Sequence, residues 1–204
     1  MSEATHESKQ RLLDAALAVI RAKGYSAARV DDICDAAGLT KGSFFHHFKN
    51  KEELAVAAAE YWACTTGQFF ACAPYHDAAD PLDRVLGYID FRYAIIQGDL
   101  PDYTCLIGTM VQEQYDSNPA IREACERCIY GHAAEVAKDI DLAKARYAPD
   151  ADWNAMDLAV HSQAVIQGAF IVAKARLSMD VALASITHLR RYIEFLFSHP
   201  KGKA

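Results

Sequence analysis

Two short helical segments near the start of the chain lie only a few residues apart, and this spacing constrains the fold more than any other feature. The apolar residues of segment 30–37 recur at the i, i+3, i+4, i+7 spacing of one helical face, and Gly38 is placed to end that helix. Thr40 can cap a further helix, LTKGSFFHHF. Because only a tight turn fits between them, the two helices must cross steeply, which predicts a helix-turn-helix.

The rest of the chain also has helical patterning. The 10 glycines and 6 prolines of the whole chain are too few for an all-β protein with many tight turns. A first helix carries an apolar stripe over residues 13–20 and ends at Gly24. We therefore predict an all-α protein of about nine helices and no strand. The fourth helix is expected to run from Asn50 to about Phe70. The later helices are expected to cover 81–97, 103–116, 119–146, 152–176 and 180–197.

Charge is unevenly distributed along the chain. The formal net charge is −6, yet residues 1–51 hold eight Lys and Arg against six Asp and Glu. Since Lys and Arg bind phosphate, the N-terminal segment is the part expected to meet nucleic acid. We predict a helix-turn-helix DNA-binding domain over residues 1–50, with residues 51–204 as a second domain.

The third helix carries side chains suited to phosphates and base edges. Hydroxyl, imidazole and ammonium groups are the usual donors there, and a glycine lets backbone amides approach phosphate closely. The alternative is an aromatic core helix flanked by solvated charge. The candidate contacts are Thr40, Lys41, Gly42, Ser43, His46, His47, Lys49 and Lys51.

Residues 24–54, GYSAARVDDICDAAGLTKGSFFHHFKNKEEL, resemble the N-terminal signature of the TetR/AcrR family of bacterial transcriptional regulators. The resemblance implies that residues 40–47 form the recognition helix, that Arg29 and Lys51 contact phosphate, and that two subunits bind one palindromic operator. Phe45 departs from the family, which commonly has tyrosine there. Phe45 can pack or touch a thymine methyl group, but it cannot donate a hydrogen bond. The matching positions are Gly24-Tyr25, Asp32-Ile33, Ala37-Gly38, Lys41-Gly42, FFHHF, Lys51 and Leu54.

A dimer must hold two recognition helices roughly 34–36 Å apart on DNA, and the last two helices are expected to set that spacing. Both carry small and apolar stripes that suit a two-fold four-helix bundle. The alternative is that these stripes pack inside one subunit. They consist of Ala159, Gln163, Ile166 and Phe170 in one helix and Val181, Ile186, Leu189, Ile193 and Leu196 in the other.

The middle helices are rich in aromatic side chains, which fill a core or line a ligand cavity. The family resemblance implies that residues 51–204 are a ligand-binding and dimerisation domain, with a cavity for a small-molecule effector that is either apolar and aromatic or thiol-reactive. The candidate ligand-binding residues are Trp62, Tyr88, Phe91, Cys105, Met110, Phe170 and Lys174.

The chain has six cysteines, expected to be free thiols. Cys105 is predicted to open a helix, whose N-terminus favours the thiolate. The segments CLIGTMVQE and GAFIVAKAR resemble a TetR branch that includes electrophile- and oxidant-responsive repressors. That resemblance implies that Cys105 can be a reactive thiol with Lys174 nearby, although relatives without redox function carry both residues. Cys125, Cys128 and His132 are spaced for one helical face, but the pattern favours helix packing, and we predict no metal site.

Other classes of function find little support. The sequence contains no Walker loop, GxGxxG, GxSxG or HExxH motif, so we predict no catalytic residues, no cofactor and no enzyme activity. The first residues, MSEATHESKQRLLDAA, carry charge and lack a secretory pattern, and no membrane span is expected, which predicts a cytoplasmic protein. The alternative is a helical small-molecule-binding protein or enzyme without operator binding.

Overall fold

The computed structural model describes residues 3–198, and every regular element in that range is helical. The described range holds ten α-helices, one more than predicted, and a short 3-10 helix at Pro74–Asp77. The helices are α1 (Glu3–Lys23), α2 (Val30–Ala37), α3 (Lys41–His47), α4 (Lys51–Ala71), α5 (Pro81–Ala94), α6 (Leu100–Tyr103), α7 (Leu106–Gln114), α8 (Pro119–Tyr147), α9 (Ala155–Arg176) and α10 (Asp180–Ser198).

The additional helix is α6, which shares only Tyr103 with the helix predicted over 103–116 and otherwise lies in the loop predicted before it. Here α6 ends at Tyr103 and α7 begins at Leu106. Cys105 lies between them with extended backbone angles, φ −83° and ψ 126°. One extended residue interrupts the helical hydrogen bonds. Apolar spacing does not reveal such a break, because the pieces on either side can both keep an apolar face.

One compact unit contains the residues up to Thr66 together with Thr104–Cys128. In this unit α1 packs on α2, α3 and α7. The stripe predicted on α1 faces the core, since Ala16 and Ile20 are buried. The largest fully buried side chains of the unit are Leu12, Ile20, Ile33, Phe44, Leu54, Leu106, Ile107, Met110 and Ile121.

A second unit contains Gly67–Tyr103 and the residues from Ile129 onward. In it α10 packs on α9 and on α5. By length and mean hydropathy, 1.2 over its most apolar window, α9 would also fit a membrane span. However, nine of its residues are buried in the structure, including the polar Ser162 and Gln163, which is the pattern of a core helix.

The two units divide within α4 and α8. This division does not coincide with the predicted domain boundary after residue 50. The boundary rests on the DNA-binding signature rather than on packing, and it stays a prediction.

The stripes predicted to form a dimer interface are mostly core of the second unit, so this prediction is wrong for those residues. Ile166 and Phe170 of α9 and Ile186 and Leu189 of α10 are all buried. Both helices are apolar on more than one side, so the period of the sequence cannot say which side faces the protomer's own core. The large exposed apolar side chains of the two helices are Ile171, Val172, Tyr192 and Phe195.

Candidate DNA-binding surface and ligand cavity

The turn between α2 and α3 has the geometry that the sequence predicts. Gly38 has φ +61°, a left-handed conformation that costs glycine little, and it ends α2. The N–H of Leu39 then donates to the Cys34 carbonyl at 2.9 Å. Thr40 caps α3, since its hydroxyl oxygen accepts from the Ser43 N–H at 3.2 Å. The predicted turn and cap are confirmed.

Helix α3 is held by aromatic packing on one side. Phe44 is fully buried and Phe48 nearly so, and their ring centroids lie 5.8 Å apart. Phe45 follows Phe44 in sequence but is 57% exposed. Phe44 and Phe48 therefore belong to the core, as the aromatic-core alternative predicts, whereas Phe45 lies outside it and that alternative is wrong for Phe45.

Most of the residues predicted to contact DNA lie on the surface of the first unit. Ser43, His47 and Lys51 are partly buried. The exposed ones are Arg29, Thr40, Lys41, Gly42, Phe45, His46 and Lys49.

Two of these basic side chains form ion pairs with acidic residues of α2. Lys41 forms an ion pair with Asp31 at 2.8 Å, and Arg29 lies 3.6 Å from Asp32. The hydrogen bond from the Arg29 N–H, with Lys23 nearby, lowers the pKa of Asp32 to about 2. The Lys41–Asp31 pair is exposed on both sides, where such pairs are weak, so a phosphate can replace that carboxylate. The Asp32 side chain is only 16% exposed and also accepts from the Arg29 N–H, so it is held more firmly.

Two predicted contact residues also have partners inside the unit. The Lys51 ammonium donates to the carbonyls of Tyr25 and Ala28 at 2.9 and 3.0 Å, and burial lowers its pKa. His47 shares a hydrogen bond of 2.7 Å with the Ser8 hydroxyl, and burial lowers the pKa of its imidazole. Lys51 therefore has only its third N–H bond available for a phosphate.

Glu113 is not among the residues predicted from the sequence, yet it holds the segment between α1 and α2. Its carboxylate accepts from the backbone N–H groups of Tyr25 and Ser26. Gly24 has φ +85°, and a Cβ at that position would overlap the Glu113 carboxylate. A lone glutamate in an apolar segment gives no sequence signal of such a role.

The second unit contains a cavity of about 290 Å³. Tyr88 is the one predicted ligand-binding residue among those lining it, as far as the described residues show. The lining residues are Gly67, Phe70, Ala71, Tyr75, His76, Arg84, Val85, Tyr88, His132, Glu135, Val136, Lys138 and Asp139.

A polar network surrounds Tyr88 beside the cavity. Its hydroxyl oxygen accepts from Arg92 Nε at 2.9 Å and from Gln163 Nε2 at 2.8 Å. His132 Nε2 lies 3.0 Å from the same hydroxyl. Gln163 was expected on a dimer stripe and His132 was considered only for metal. The spacing of Tyr88 and Arg92, four residues apart on α5, was the available sequence signal.

The other predicted ligand-binding residues have packing roles within their units. The Phe91 ring lies 5.6 Å from that of Phe70, and the Phe170 ring lies 6.0 Å from that of Tyr103. Lys174 is partly buried. In the first unit, Met110 is fully buried, and Trp62 lies beneath the Arg21 guanidinium, 5.2 Å from the ring centroid.

Three cysteines of the first unit lie close enough to influence one another's ionisation. Burial, with smaller contributions from neighbouring thiols including Cys105, raises the pKa values of Cys125 and Cys128 to about 12. Both are therefore protonated near neutral pH. Cys105 is partly buried and precedes α7 as its cap residue, not as its first residue. Within the described residues no group of three or more His, Cys, Asp and Glu could hold a metal ion.

Comparison with protein families decides what kind of chain this is. Residues 12–58 match the bacterial regulatory proteins of the TetR family. Residues 81–185, just over half of the chain, match the C-terminal domain of LmrA/YxaF-like transcriptional regulators. The chain belongs to the TetR family.

Similar proteins of the family are transcriptional regulators. CymR of Pseudomonas putida is 42% identical over 130 residues, covering 63% of this chain and 61% of CymR. Other curated relatives are matched over less of their length, for example 48% of AcuR from Cereibacter sphaeroides. The chain thus spans less than two thirds of these curated relatives.

Solved structures match over nearly the whole chain. A TetR regulator from Chloroflexus aurantiacus is 27% identical, covers 95% of this chain and 97% of its own, and has a TM-score of 0.81. The regulator CifR, as a cysteine mutant complexed with 26-bp double-strand operator DNA, is 20% identical, covers 88% and 94% respectively, and has a TM-score of 0.73. At that identity, the CifR match shows the shared fold.

Proposed function

We propose that this chain regulates transcription by binding double-stranded operator DNA, as a repressor and not as an enzyme. The observation that carries the proposal is the surface of α3. Lys41, Phe45 and His46 are exposed there, while Phe44 is fully buried and holds the helix. Such a helix fits the major groove, where donors reach phosphate and base edges and Phe45 can touch a thymine methyl group. Family membership and the operator DNA bound by CifR support this assignment.

We infer that the regulator is a homodimer in the cytoplasm and that its operator is palindromic. Ile171 and Val172 on α9 are about half exposed, at 47% and 48%, although both are strongly apolar. Exposed apolar side chains on a long helix favour self-association, and a two-fold dimer matches a palindromic site. Ile171→Glu, which places a charge on this face, should give monomers by sedimentation velocity while helical circular dichroism is retained.

We propose that a small molecule bound in the cavity of the second unit causes release of the operator. Tyr88 and His132 supply polar groups to a wall that Phe70 and Tyr75 make aromatic. A ligand that binds better to the arrangement with low DNA affinity shifts the population toward it. Release by this route needs no covalent step, and reaction at Cys105 is the competing route.

The test of DNA binding uses the full chain and double-stranded DNA from the region upstream of its own gene, followed by fluorescence anisotropy. Specific binding should weaken steeply as salt is added. Lys41→Ala should weaken binding and lower the salt slope by about 1 if Lys41 contacts phosphate.

Arg122→Ala is the matched control for this test. Arg122 is also a surface cation of the first unit, but it lies on α8 and pairs with Glu123. Its loss should leave operator affinity nearly unchanged. Equal losses in the two variants would indicate a general charge effect and would contradict the assignment of α3 as the recognition helix.

A further inference from the structure

The cavity of the second unit combines an aromatic wall with charged groups that are already paired. Rings of Phe70, Tyr75 and Tyr88 form part of its lining. At its polar side, Arg84 Nε lies 2.7 Å from Asp139, and Lys138 Nζ lies 2.5 Å from Glu135. These two pairs cancel in charge. The cavity of about 290 Å³ lies at the lower end of the range for ligand pockets, which suits a small aromatic molecule.

Arg92 stands beside this wall without an acidic counterpart. Its guanidinium carbon lies 4.4 Å from the centroid of the Phe70 ring. Its hydrogen bonds go to the Tyr88 hydroxyl, the His132 ring and the Gln163 amide oxygen, and in the described part of the chain it forms no ion pair. A partly buried cation held by neutral groups alone leaves a positive potential on this side of the cavity.

Arg92 also determines which nitrogen of His132 carries the proton. Arginine can only donate, so His132 Nε2, 3.1 Å from Arg92 Nη2, must accept. Tyr88 can donate to the same nitrogen, because its oxygen already accepts from Arg92 and Gln163. Burial and the Arg92 charge lower the pKa of His132 to about 3, which keeps the ring neutral. Its proton is then on Nδ1.

The remaining hydrogen-bonding group of His132 is its Nδ1–H. His132 lines the cavity, and none of the described residues accepts a hydrogen bond from Nδ1. The cavity lining therefore includes a histidine N–H donor with no described acceptor, aromatic surfaces for stacking and, next to that histidine, the positive charge of Arg92. These features are complementary to an acceptor that is negatively charged and attached to a flat ring.

We propose that the effector of this regulator is a small aromatic anion of the aromatic carboxylate class, bound between Phe70 and Tyr75 with its carboxylate on His132 Nδ1 and facing the charge of Arg92. This inference rests on the proposed function, because the ligand is an effector only if the protein is a regulator. The binding itself does not depend on DNA.

The test compares two probes of the same shape, 2-naphthoate and the uncharged 2-naphthamide, by isothermal titration calorimetry on the full chain. The carboxylate should bind about tenfold or more tightly than the amide, because its hydrogen bond is charge-assisted. In Arg92→Gln that preference should fall to about threefold or less, while the amide keeps most of its affinity. Equal binding of the two probes to the unmodified protein, or no binding of either, would overturn the proposal.

A second variant tests the location without touching the polar network. Gly67 lines the cavity, and a Cβ there would meet no atom within 4 Å, so Gly67→Phe has room for its first side-chain atom and should obstruct the cavity. Gly131→Phe is the matched control, because Gly131 on α8 is equally open but is not a lining residue. Gly67→Phe should abolish binding of 2-naphthoate and Gly131→Phe should retain it. Binding that survives Gly67→Phe would place the site elsewhere and contradict the proposal.

Operator binding distinguishes failure of this inference from failure of the proposed function. DNA affinity is measured separately and without probe. A protein that binds DNA specifically but not 2-naphthoate remains a regulator, and the ligand class is wrong. A protein that binds 2-naphthoate at the cavity but no specific DNA retains this binding site, and the proposed function is wrong.

Discussion

The carboxylate of Glu113 accepts a hydrogen bond from the backbone N–H of Ser26, with an N···O distance of 2.7 Å. Its second oxygen accepts from the N–H of Tyr25 at 3.1 Å. These amides belong to the connection between α1 and α2, so one side chain of α7 holds the beginning of the helix-turn-helix. The first unit therefore includes α7 through a specific polar contact as well as through apolar packing.

Replacing Glu113 by glutamine should weaken this contact. Glutamine has one acceptor oxygen where glutamate has two, so one of the two amides loses its partner. We expect the free energy of unfolding to fall by about 1 kcal/mol. Urea denaturation followed by circular dichroism measures the change. Asp116→Asn is the control, since that exposed carboxylate follows α7 without a described hydrogen bond, and an equal loss there would argue against the Glu113 contact.

Phe45 offers a test of the surface of α3. Phe45→Tyr adds a hydroxyl to a ring that is already 57% exposed, and a donor there can reach phosphate. We expect operator affinity to rise by up to about tenfold, and Phe45→Ala to lower it. Phe69→Tyr makes the same change on an exposed phenylalanine outside the helix-turn-helix and should have no effect in the anisotropy assay. A Phe45→Tyr variant that binds no better than the parent would mean that this ring does not face the DNA backbone.

The stability of the protein should depend on pH through His132. Its pKa is lowered to about 3 in the folded state, so between pH 6.5 and about 3 the unfolded chain binds a proton that the folded chain does not. Ionisation of His132 therefore does not change the stability above pH 6.5, and it lowers the stability as the pH falls below 6.5. From pH 6 to pH 5 we expect the parent to lose roughly 1 kcal/mol more than His132→Gln does.

The comparison between variants isolates this contribution from the titration of carboxylates. His188→Gln serves as the control because His188 is exposed on α10, and it should follow the parent. Urea midpoints at the two pH values give the result. Identical pH slopes for the parent and His132→Gln would show that His132 is not held neutral in the folded protein.

The cysteines should differ in reactivity according to exposure and pKa. Cys64 and Cys72 are exposed, whereas the pKa values of Cys125 and Cys128 are raised to about 12, which leaves very little thiolate near neutral pH. With iodoacetamide at pH 7.5, mass spectrometry should find Cys64 and Cys72 modified first and Cys125 and Cys128 last. Fast modification of Cys128 in the folded protein would contradict the raised pKa.

Sensing by Cys105 is tested by a separate anisotropy experiment on the operator complex. Electrophile-driven release of operator DNA should disappear in Cys105→Ser and persist in Cys64→Ser if Cys105 is the switch. Unchanged release in Cys105→Ser excludes that mechanism and leaves a reversible effector.

Local sequence signals predicted the helices and their ends well. Asp80 caps α5 ahead of Pro81, and the Asn118 side chain accepts from the Ile121 N–H at the start of α8. Caps and glycine ends depend on residues within about one turn, and their sequence pattern contains the information needed to recognise them. The break at Cys105 was not predictable in this way, because no proline or glycine marks it.

What the sequence determined by itself is therefore the all-α class and the helix-turn-helix, both of which follow from spacing along the chain. What the tertiary structure decided is which face of α9 and α10 is core, that Lys51 has internal partners, and that Arg92, His132 and Gln163 meet at Tyr88. Apart from the contact of Arg92 with Tyr88 within α5, those hydrogen bonds join residues between 23 and 75 positions apart. Helical periodicity records only the neighbours within one helix, and such distant pairs are brought together by packing alone.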